Sequence, residues 1–179
     1  TKEYLEGLNL NIDENELEYL KNDSEGTFCE EVTIDVEKLE PLCSCPHEVD
    51  NVDEIKNVAG VKIDQAYIGS CTGGRYHDLK VAADLVKGRK IAEGIRLLIS
   101  PASKEVWDRC AKEGILQILS DAGATVLASS CGACLGIHSG ALGEGEVCIS
   151  STNRNFIGRM GSKKSSVYLA SPLSVIASA

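Results

Sequence analysis

The sequence predicts an α/β fold: a three-layer α/β/α domain around a mostly parallel sheet, preceded by a helical and irregular N-terminal extension. Three observations carry that expectation. From Val61 onward, short apolar runs ending at Gly or Ser alternate with helix-length amphipathic segments. Strands separated by helices at these spacings are joined by right-handed crossovers, which make neighbouring strands parallel. Composition agrees, since 17 glycines and 4% aromatic residues suit a core of small aliphatics better than an aromatic-filled sandwich. A chain of 179 residues holds one domain with a real core plus a small appendage. We expect residues 1–57 to be that appendage (helical segment, edge strand and connector) and residues 58–179 to be the α/β domain.

In chain order, residues 1–27 read as polar helix, with Tyr4, Leu5 and Leu8 facing one way. Asp13 and Glu16 are spaced as a capping pair ahead of Leu17 and Leu20. Asn22-Asp-Ser-Glu-Gly26 closes the segment as a loop. The alternation of Val32, Ile34 and Val36 predicts an edge strand over residues 27–36. Leu39-Glu-Pro-Leu-Cys-Ser-Cys-Pro-His47 is expected to be irregular, because Pro41 and Pro46 remove amide donors and bias their predecessors away from helix. Residues 62–68 predict a strand ending at Gly69. Leu79, Ala82, Ala83 and Val86 recur at helical spacing over residues 75–86, with Gly88 as terminator. A second strand is expected at 95–100, then a helix capped by Ser103 that carries Trp107 and Cys110, then a helix over 115–122 closed by Gly123. Further strands are expected at 125–129, 146–150 and 166–170, and Pro172 opens a last helix at a position where proline is tolerated.

Charge narrows the function. With 27 acidic against 18 basic residues the net charge is −9, and no basic stripe is available to neutralise phosphates. The longest apolar runs fall far short of a membrane span, and no signal-peptide pattern opens the chain. Eight cysteines are few for a secreted disulfide scaffold of this size; in an α/β protein they point to metal, redox chemistry or buried thiols. We therefore expect a cytoplasmic protein with neither nucleic acid nor membrane as partner. The chain opens on Thr1 rather than Met, which we read as the mark of an excised or processed piece.

The chemistry concentrates in Ser129-Ser-Cys-Gly-Ala-Cys-Leu-Gly136, two cysteines at i and i+3 in a Gly-rich loop. In open parallel sheets, ligands bind outside the carboxyl ends of the strands. Cys71, in Ile68-Gly-Ser-Cys-Thr-Gly-Gly74, follows the first strand of the α/β part. Cys131 and Cys134 follow the third, and Ser151-Thr-Asn-Arg154 follows the fourth. Three loops are thus expected on one rim. Taken alone, Cys131-Gly-Ala-Cys134 serves equally as a redox pair, as half of a zinc site or as part of an iron–sulfur site, and two plain buried thiols are the dull alternative. A zinc site would have to draw on Cys43, Cys45 and His47. Adding Cys71 on the same rim favours a cluster, which needs soft thiolates on loops whose glycines let the backbone approach the sulfides. Three cysteines rather than four leave one iron without a protein thiolate, free to act on a substrate oxygen as a Lewis acid. The competing class is a non-catalytic metal or thiol–disulfide redox module that uses Cys131 and Cys134 alone.

Arg154 and Arg159 lie five apart in Ser151-Thr-Asn-Arg-Asn-Phe-Ile-Gly-Arg-Met-Gly161. Arginine gives a bidentate grip on a carboxylate, although on spacing alone two loop arginines read first as solvated surface. The loop from Gly69 to Arg75 meets a helix N-terminus and could hold an anion, but it lacks the Gly-Lys-Ser/Thr ending of a phosphate-binding loop. His77 and His138 read as ordinary hydrogen-bonded residues. Cys29, Cys110 and Cys148 read as core or surface thiols, as do Cys43 and Cys45, for which a second metal is the minor reading.

Taken together, Tyr67-Ile-Gly-Ser-Cys-Thr-Gly-Gly-Arg75, Ser130-Cys-Gly-Ala-Cys-Leu-Gly136 and Ser151-Thr-Asn-Arg-Asn-Phe156 with Gly158-Arg159 resemble the aconitase superfamily. Within it the likeness is closest to the large subunits of 3-isopropylmalate dehydratases and homoaconitases. It runs from about Thr33, where Ile34-Asp35, Leu39-Glu-Pro41 and Pro46-His47 join it, to the C-terminus. The resemblance implies a fold like the third domain of aconitases. It implies that Cys71, Cys131 and Cys134 ligate a [4Fe–4S] cluster, that Asn153 and Ser70 lie beside it, and that Arg154 and Arg159 hold substrate carboxylates or support that site. The implied reaction is stereospecific loss and re-addition of water on a hydroxy di- or tricarboxylic acid such as 3-isopropylmalate, a leucine-biosynthesis intermediate. No catalytic acid–base residue is expected in this chain. The resemblance assigns those groups to N-terminal domains of the same subunit and to a small swivel-domain subunit, both expected partners, without which the chain should be inactive. A rim built to face them should expose apolar surface. One departure counts: the family usually reads Cys-Thr-Asn-Gly where this chain has Cys71-Thr-Gly-Gly74, which removes an amide side chain beside the cluster and leaves the exact hydroxy acid open.

Overall fold

A computed structural model describes residues 2–8, 10 and 13–179. The chain divides into two compact units, residues 1–39 and 40–179. The first unit contains two short helices, α1 (Lys2–Gly7) and α2 (Glu14–Glu18). Asp13 caps α2, its carboxylate accepting from the Asn15 amide at 2.9 Å. The expected roles of Tyr4 and Glu16 fall on side chains outside the described set. The edge strand expected over residues 27–36 does not form: residues 27–35 carry no helix or strand, and a 3-10 turn follows at Val36–Lys38. Phe28, Val32, Ile34 and Val36 are all exposed. Alternation alone does not make a strand, because its backbone groups need a neighbouring ladder, and among the described residues none pairs with this stretch.

The second unit is built on a seven-stranded sheet. Its strands are β1 (Leu42–Ser44), β2 (Val52–Glu54), β3 (Gln65–Gly69), β4 (Arg96–Ser100), β5 (Thr125–Val126), β6 (Val147–Ser150) and β7 (Ser166–Ala170), in the spatial order β2-β1-β7-β6-β3-β4-β5. The run from β7 to β5 is parallel throughout; β1 pairs antiparallel with both β2 and β7. The connector expected to be irregular therefore contains a strand. Pro41 precedes β1 and Pro46 follows it, so neither occupies a ladder position, while Cys43 and Ser44 pair with Ala170 and Leu169. That pairing joins β1 and β2 to the sheet, and the second compact unit begins at Glu40.

The helices are α3 (Ser70–Gly73), α4 (Tyr76–Val86), α5 (Lys104–Lys112), α6 (Ile115–Ala122) and α7 (Pro172–Ala177). Ser103 caps α5 and Ser171 caps α7, each hydroxyl accepting a backbone amide at 3.2 Å, and Pro172 takes the first turn of α7. Strand alternation sorts side chains into two cores. Ala66, Ile68, Leu97, Ile99 and Ile149 pack with the apolar stripes of α4, α5, α6 and α7. Tyr67, Leu98, Cys148 and Val167, on the opposite face, pack with Ala133, Cys134, Leu142 and Met160. Helices thus cover one face of the α/β sheet, while the other is covered by the Gly-rich loops of residues 127–145 and 151–165 and one 3-10 turn, Gly132–Leu135. The loops that carry the sequence motifs are the third layer.

Sheet order locates the place where a ligand belongs. From β3 the chain moves to β4 and β5 on one side, then returns to β6 and β7 on the other. The switch lies between β3 and β6, and the crevice at their carboxyl ends is where open α/β sheets bind ligands. Cys71 follows β3 directly and Ser151 follows β6 directly.

Candidate metal centre

The Cys71 loop is a tight strand-to-helix turn. Ser70 is buried and adopts a left-handed φ of 67°, a conformation that costs a non-Gly residue about 1 kcal/mol or more and persists only where the surroundings enforce it. The enforcement is visible. The Ser151 hydroxyl accepts from the Gly69 amide at 3.2 Å and donates to the Gly73 carbonyl at 3.0 Å, bracketing Cys71. Gly74 is pressed against β4, where a β-carbon would stand 2.4 Å from the Ser100 carbonyl oxygen, and Ala102 donates its amide to the Gly74 carbonyl at 2.8 Å. Cys71 itself is exposed at the head of this turn.

The Cys131 loop is fastened to the same strand ends. The Ser100 hydroxyl donates to the carbonyls of Ala128 at 3.0 Å and Ser130 at 3.3 Å, while Ser100 pairs with Gly69 across β3 and β4. Cys131 is exposed at the start of the 3-10 turn, and Cys134 is buried in it at 5% exposure. Gly136, in the left-handed region at φ 64°, lets the turn close against the arginine loop: a β-carbon there would stand 2.5 Å from the Gly161 amide nitrogen. Leu142 donates to the Met160 carbonyl at 2.7 Å and accepts from the Ser162 amide at 2.8 Å, so the two loops zip together.

The arginine loop differs residue by residue. Arg154 and Asn153 are exposed. Arg159 is half-buried, and its Nη2 reaches Cys134 Sγ at 3.6 Å while its Nε is buried without a partner. Asn155 is buried and donates from Nδ2 to Ser44 Oγ at 3.1 Å and to the Cys45 carbonyl at 2.8 Å, tying the loop to β1 and the turn after it.

Beneath the cysteines lies Tyr67. It is fully buried, and no hydrogen bond of ordinary geometry reaches its hydroxyl. Burial pushes the phenol up to about 12; the Ser100 hydroxyl pulls the other way, and the Cys134, Cys131 and Cys148 thiols add to the rise. Sequence patterning shows only an aromatic residue in a strand and gives no hint of an unpaired hydroxyl. Ser100, Ser151 and Asn155 were also not anticipated. A signal for the serines exists, since β3, β4 and β6 each run into serine at their carboxyl ends (Ser70, Ser100 and Ser150-Ser151), where hydroxyls can satisfy loop backbone.

Cys43 and Cys45 lie with their sulfurs 4.0 Å apart, and burial pushes Cys43 up to about 11 with Cys45 adding to it. His77 and His138 are exposed. Among the described residues, no three His, Cys, Asp or Glu side chains converge closely enough to bind one metal ion. A single-ion zinc site is therefore not preformed. A cluster makes a different demand, because each thiolate binds a separate iron. Its surroundings fit in one respect: two buried donors, Tyr67 Oη and Arg159 Nε, have no hydrogen bond of ordinary geometry and lie next to the cysteines.

Fold and site together define an α/β domain in which the loops carrying Cys71, Cys131 and Arg159 are fastened to strand ends and to neighbouring loops by hydrogen bonds. The sequence match covers nearly all of it: residues 2–179 match the aconitase family (aconitate hydratase), and the chain belongs to that family. It is similar to 3-isopropylmalate dehydratase large subunit 1 of Methanopyrus kandleri, 47% identical over 178 residues covering 93% of this chain and 43% of that protein. It is 47% identical over 166 residues to the 3-isopropylmalate dehydratase large subunit 2 of Archaeoglobus fulgidus, covering 93% and 40%. The homoaconitase large subunit of Thermus thermophilus is 47% identical over 162 residues, covering 90% and 39%. The chain thus spans about two fifths of the length of the curated relatives it matches. Among the described residues no helix is long and apolar enough to cross a membrane.

Proposed function

We propose that this chain is the cluster-carrying part of a hydro-lyase that removes and re-adds water on a hydroxy di- or tricarboxylic acid such as 3-isopropylmalate. The observation that carries the reading is the mutual locking of the three motif loops, with Ser151 holding the Cys71 turn, Ser100 holding the Cys131 turn, and Arg159 touching Cys134. On this reading Cys71, Cys131 and Cys134 hold a [4Fe–4S] cluster, with Ser70 and Asn153 beside it. Bound there, the cluster supplies a Lewis-acidic iron that carries no protein thiolate. Arg154 and Arg159 receive the substrate carboxylates: Arg154 is exposed and free to reach them, and the half-buried Arg159 stands beside Cys134 through its Nη2. A net charge of −9 repels an anionic substrate, so local guanidinium groups are needed to draw it in.

Acid–base groups come, on this proposal, from the rest of a large subunit and from a small swivel-domain subunit. Exposed Ile137, Phe156 and Ile157 on the cysteine and arginine loops suit docking of those domains. All eight cysteines are free thiols, which suits a reducing, cytoplasmic setting. The test is to load the chain anaerobically with iron and sulfide and titrate it with 3-isopropylmalate, following the cluster's absorption and electron paramagnetic resonance. A saturable spectral change that weakens in Arg154→Lys and Arg159→Lys supports the proposal. A loaded chain whose spectra ignore 3-isopropylmalate, citrate and homocitrate alike would remove its substrate half.

A further inference from the structure

We infer that the Tyr67 hydroxyl is a hydrogen-bond donor to sulfur at Cys134, a positioning residue that retains and tunes the cluster; the inference rests on the cluster reading above. Tyr67 stands with Gln65 on the cysteine side of β3, where it packs with Ala133, Cys134 and Met160. The space it fills is apolar, and phenylalanine would fill it equally well. A buried hydroxyl without a partner is costly and calls for a specific explanation.

The other polar groups nearby are already committed. The Ser100 hydroxyl gives its proton to the Ala128 and Ser130 carbonyls. Cys148 donates to the Ile149 carbonyl, and the Gln65 amide donates to the Gly140 carbonyl and to Cys148. Gly69 keeps the approach to Oη open, since a β-carbon at that position would stand 2.8 Å from it. The phenol's neighbouring acceptors are the Ser100 oxygen on β4 and the Cys134 sulfur of the loop packed on Tyr67, to which a bound cluster would add further sulfur. Arg159 already touches Cys134, so that sulfur would receive one neutral and one cationic donor. Hydrogen bonds to cluster sulfurs set reduction potential, and groups that hydrogen-bond metal ligands contribute to retention.

The test compares the parent chain with Tyr67→Phe, each measured empty and after anaerobic loading with ferrous iron and sulfide. Empty, Tyr67→Phe should unfold at the same or higher urea concentration, because the unpaired hydroxyl is gone. Loaded, it should release iron to a ferrous chelator about 10-fold faster, and its cluster potential should become more negative. The Fe–S stretching bands of the parent should shift in heavy water more than those of Tyr67→Phe. Equal iron release and equal potential would overturn the inference, as would a variant that is weaker in both the empty and loaded forms, which is the signature of packing alone. A parent chain that takes up no iron would instead overturn the cluster reading itself, a failure distinguishable from the first two.

Discussion

Ser151 and Gly73 are locked together: the Ser151 hydroxyl donates to the Gly73 carbonyl at 3.0 Å, and a β-carbon on residue 73 would stand 2.1 Å from the Ser151 carbonyl oxygen. No side chain fits at 73 without moving the end of β6. Glycine at position 73 is thus required by this chain's own packing. Gly73→Ala and Gly73→Asn should each destabilise the fold by about 2–3 kcal/mol through overpacking. Gly143→Ala, whose β-carbon would meet only the Glu146 side chain at 3.5 Å, should stay within about 0.5 kcal/mol of the parent. Urea denaturation checks both. A Gly73→Asn chain as stable as the parent would refute the lock.

Removing the hydroxyl tests the same junction from the other side. Ser151→Ala leaves the buried Gly69 amide and the Gly73 carbonyl without their partner, and should cost about 1–3 kcal/mol. Hydrogen exchange should quicken at Gly69 and through α3, and should stay slow in α6 on the far side of the sheet.

Alkali should unfold this protein. Burial pushes the Cys148 thiol up to about 12 and raises Cys110 as well, while burial and Cys45 push Cys43 up to about 11. Each folded-state value lies above the ordinary thiol value of about 8.5, so the folded chain holds these protons more tightly than the unfolded one. Their contribution is complete below that ordinary value and is lost as pH climbs toward the folded values. Urea midpoints should be level from pH 7 to 8 and fall steadily above pH 9, less steeply in Cys148→Ala. A midpoint that holds or rises through pH 11 would contradict the assignment.

Where the sequence was legible, two signals agreed. In α4, the spacing of Leu79, Ala82, Ala83 and Val86 matched a terminating Gly88, and all four side chains are buried in one core. In β3 and β4, apolar runs ended at residues suited to turns. The failures came where pairing partners decide the outcome. Residues 27–36 alternate but have no described ladder to join, whereas Cys43 and Ser44 sit between prolines yet find β7. At the site, strand-end logic was enough to place the Cys71 loop after β3 and the Cys131 loop after β5. Nothing local could show that Cys134 would be buried while Cys131 stays exposed, or that Asn155 and not Asn153 would be the buried clamp. Those are properties of packing between residues far apart in the chain, 25 positions for Arg159 on Cys134 and 111 for Asn155 on Ser44.

The rim itself should be sticky. Ile137 is 67% exposed, Phe156 50% and Ile157 57%, all on the cysteine and arginine loops. The chain should self-associate with rising concentration in light scattering, and Ile137→Ser combined with Phe156→Ser should reduce that association without lowering the urea midpoint. A parent chain that stays monomeric at high concentration would remove the docking role of these residues.

The central claim is that three thiols on separate strand-end loops hold one cluster, and iron stoichiometry tests it most directly. After anaerobic loading with iron and sulfide, the parent chain and Cys43→Ser should each carry about four irons. Cys71→Ser, Cys131→Ser and Cys134→Ser should each lose most of that iron while keeping their fold by circular dichroism. A Cys71→Ser chain that binds as much iron as the parent would contradict the account, since the site would then belong to Cys131 and Cys134 alone.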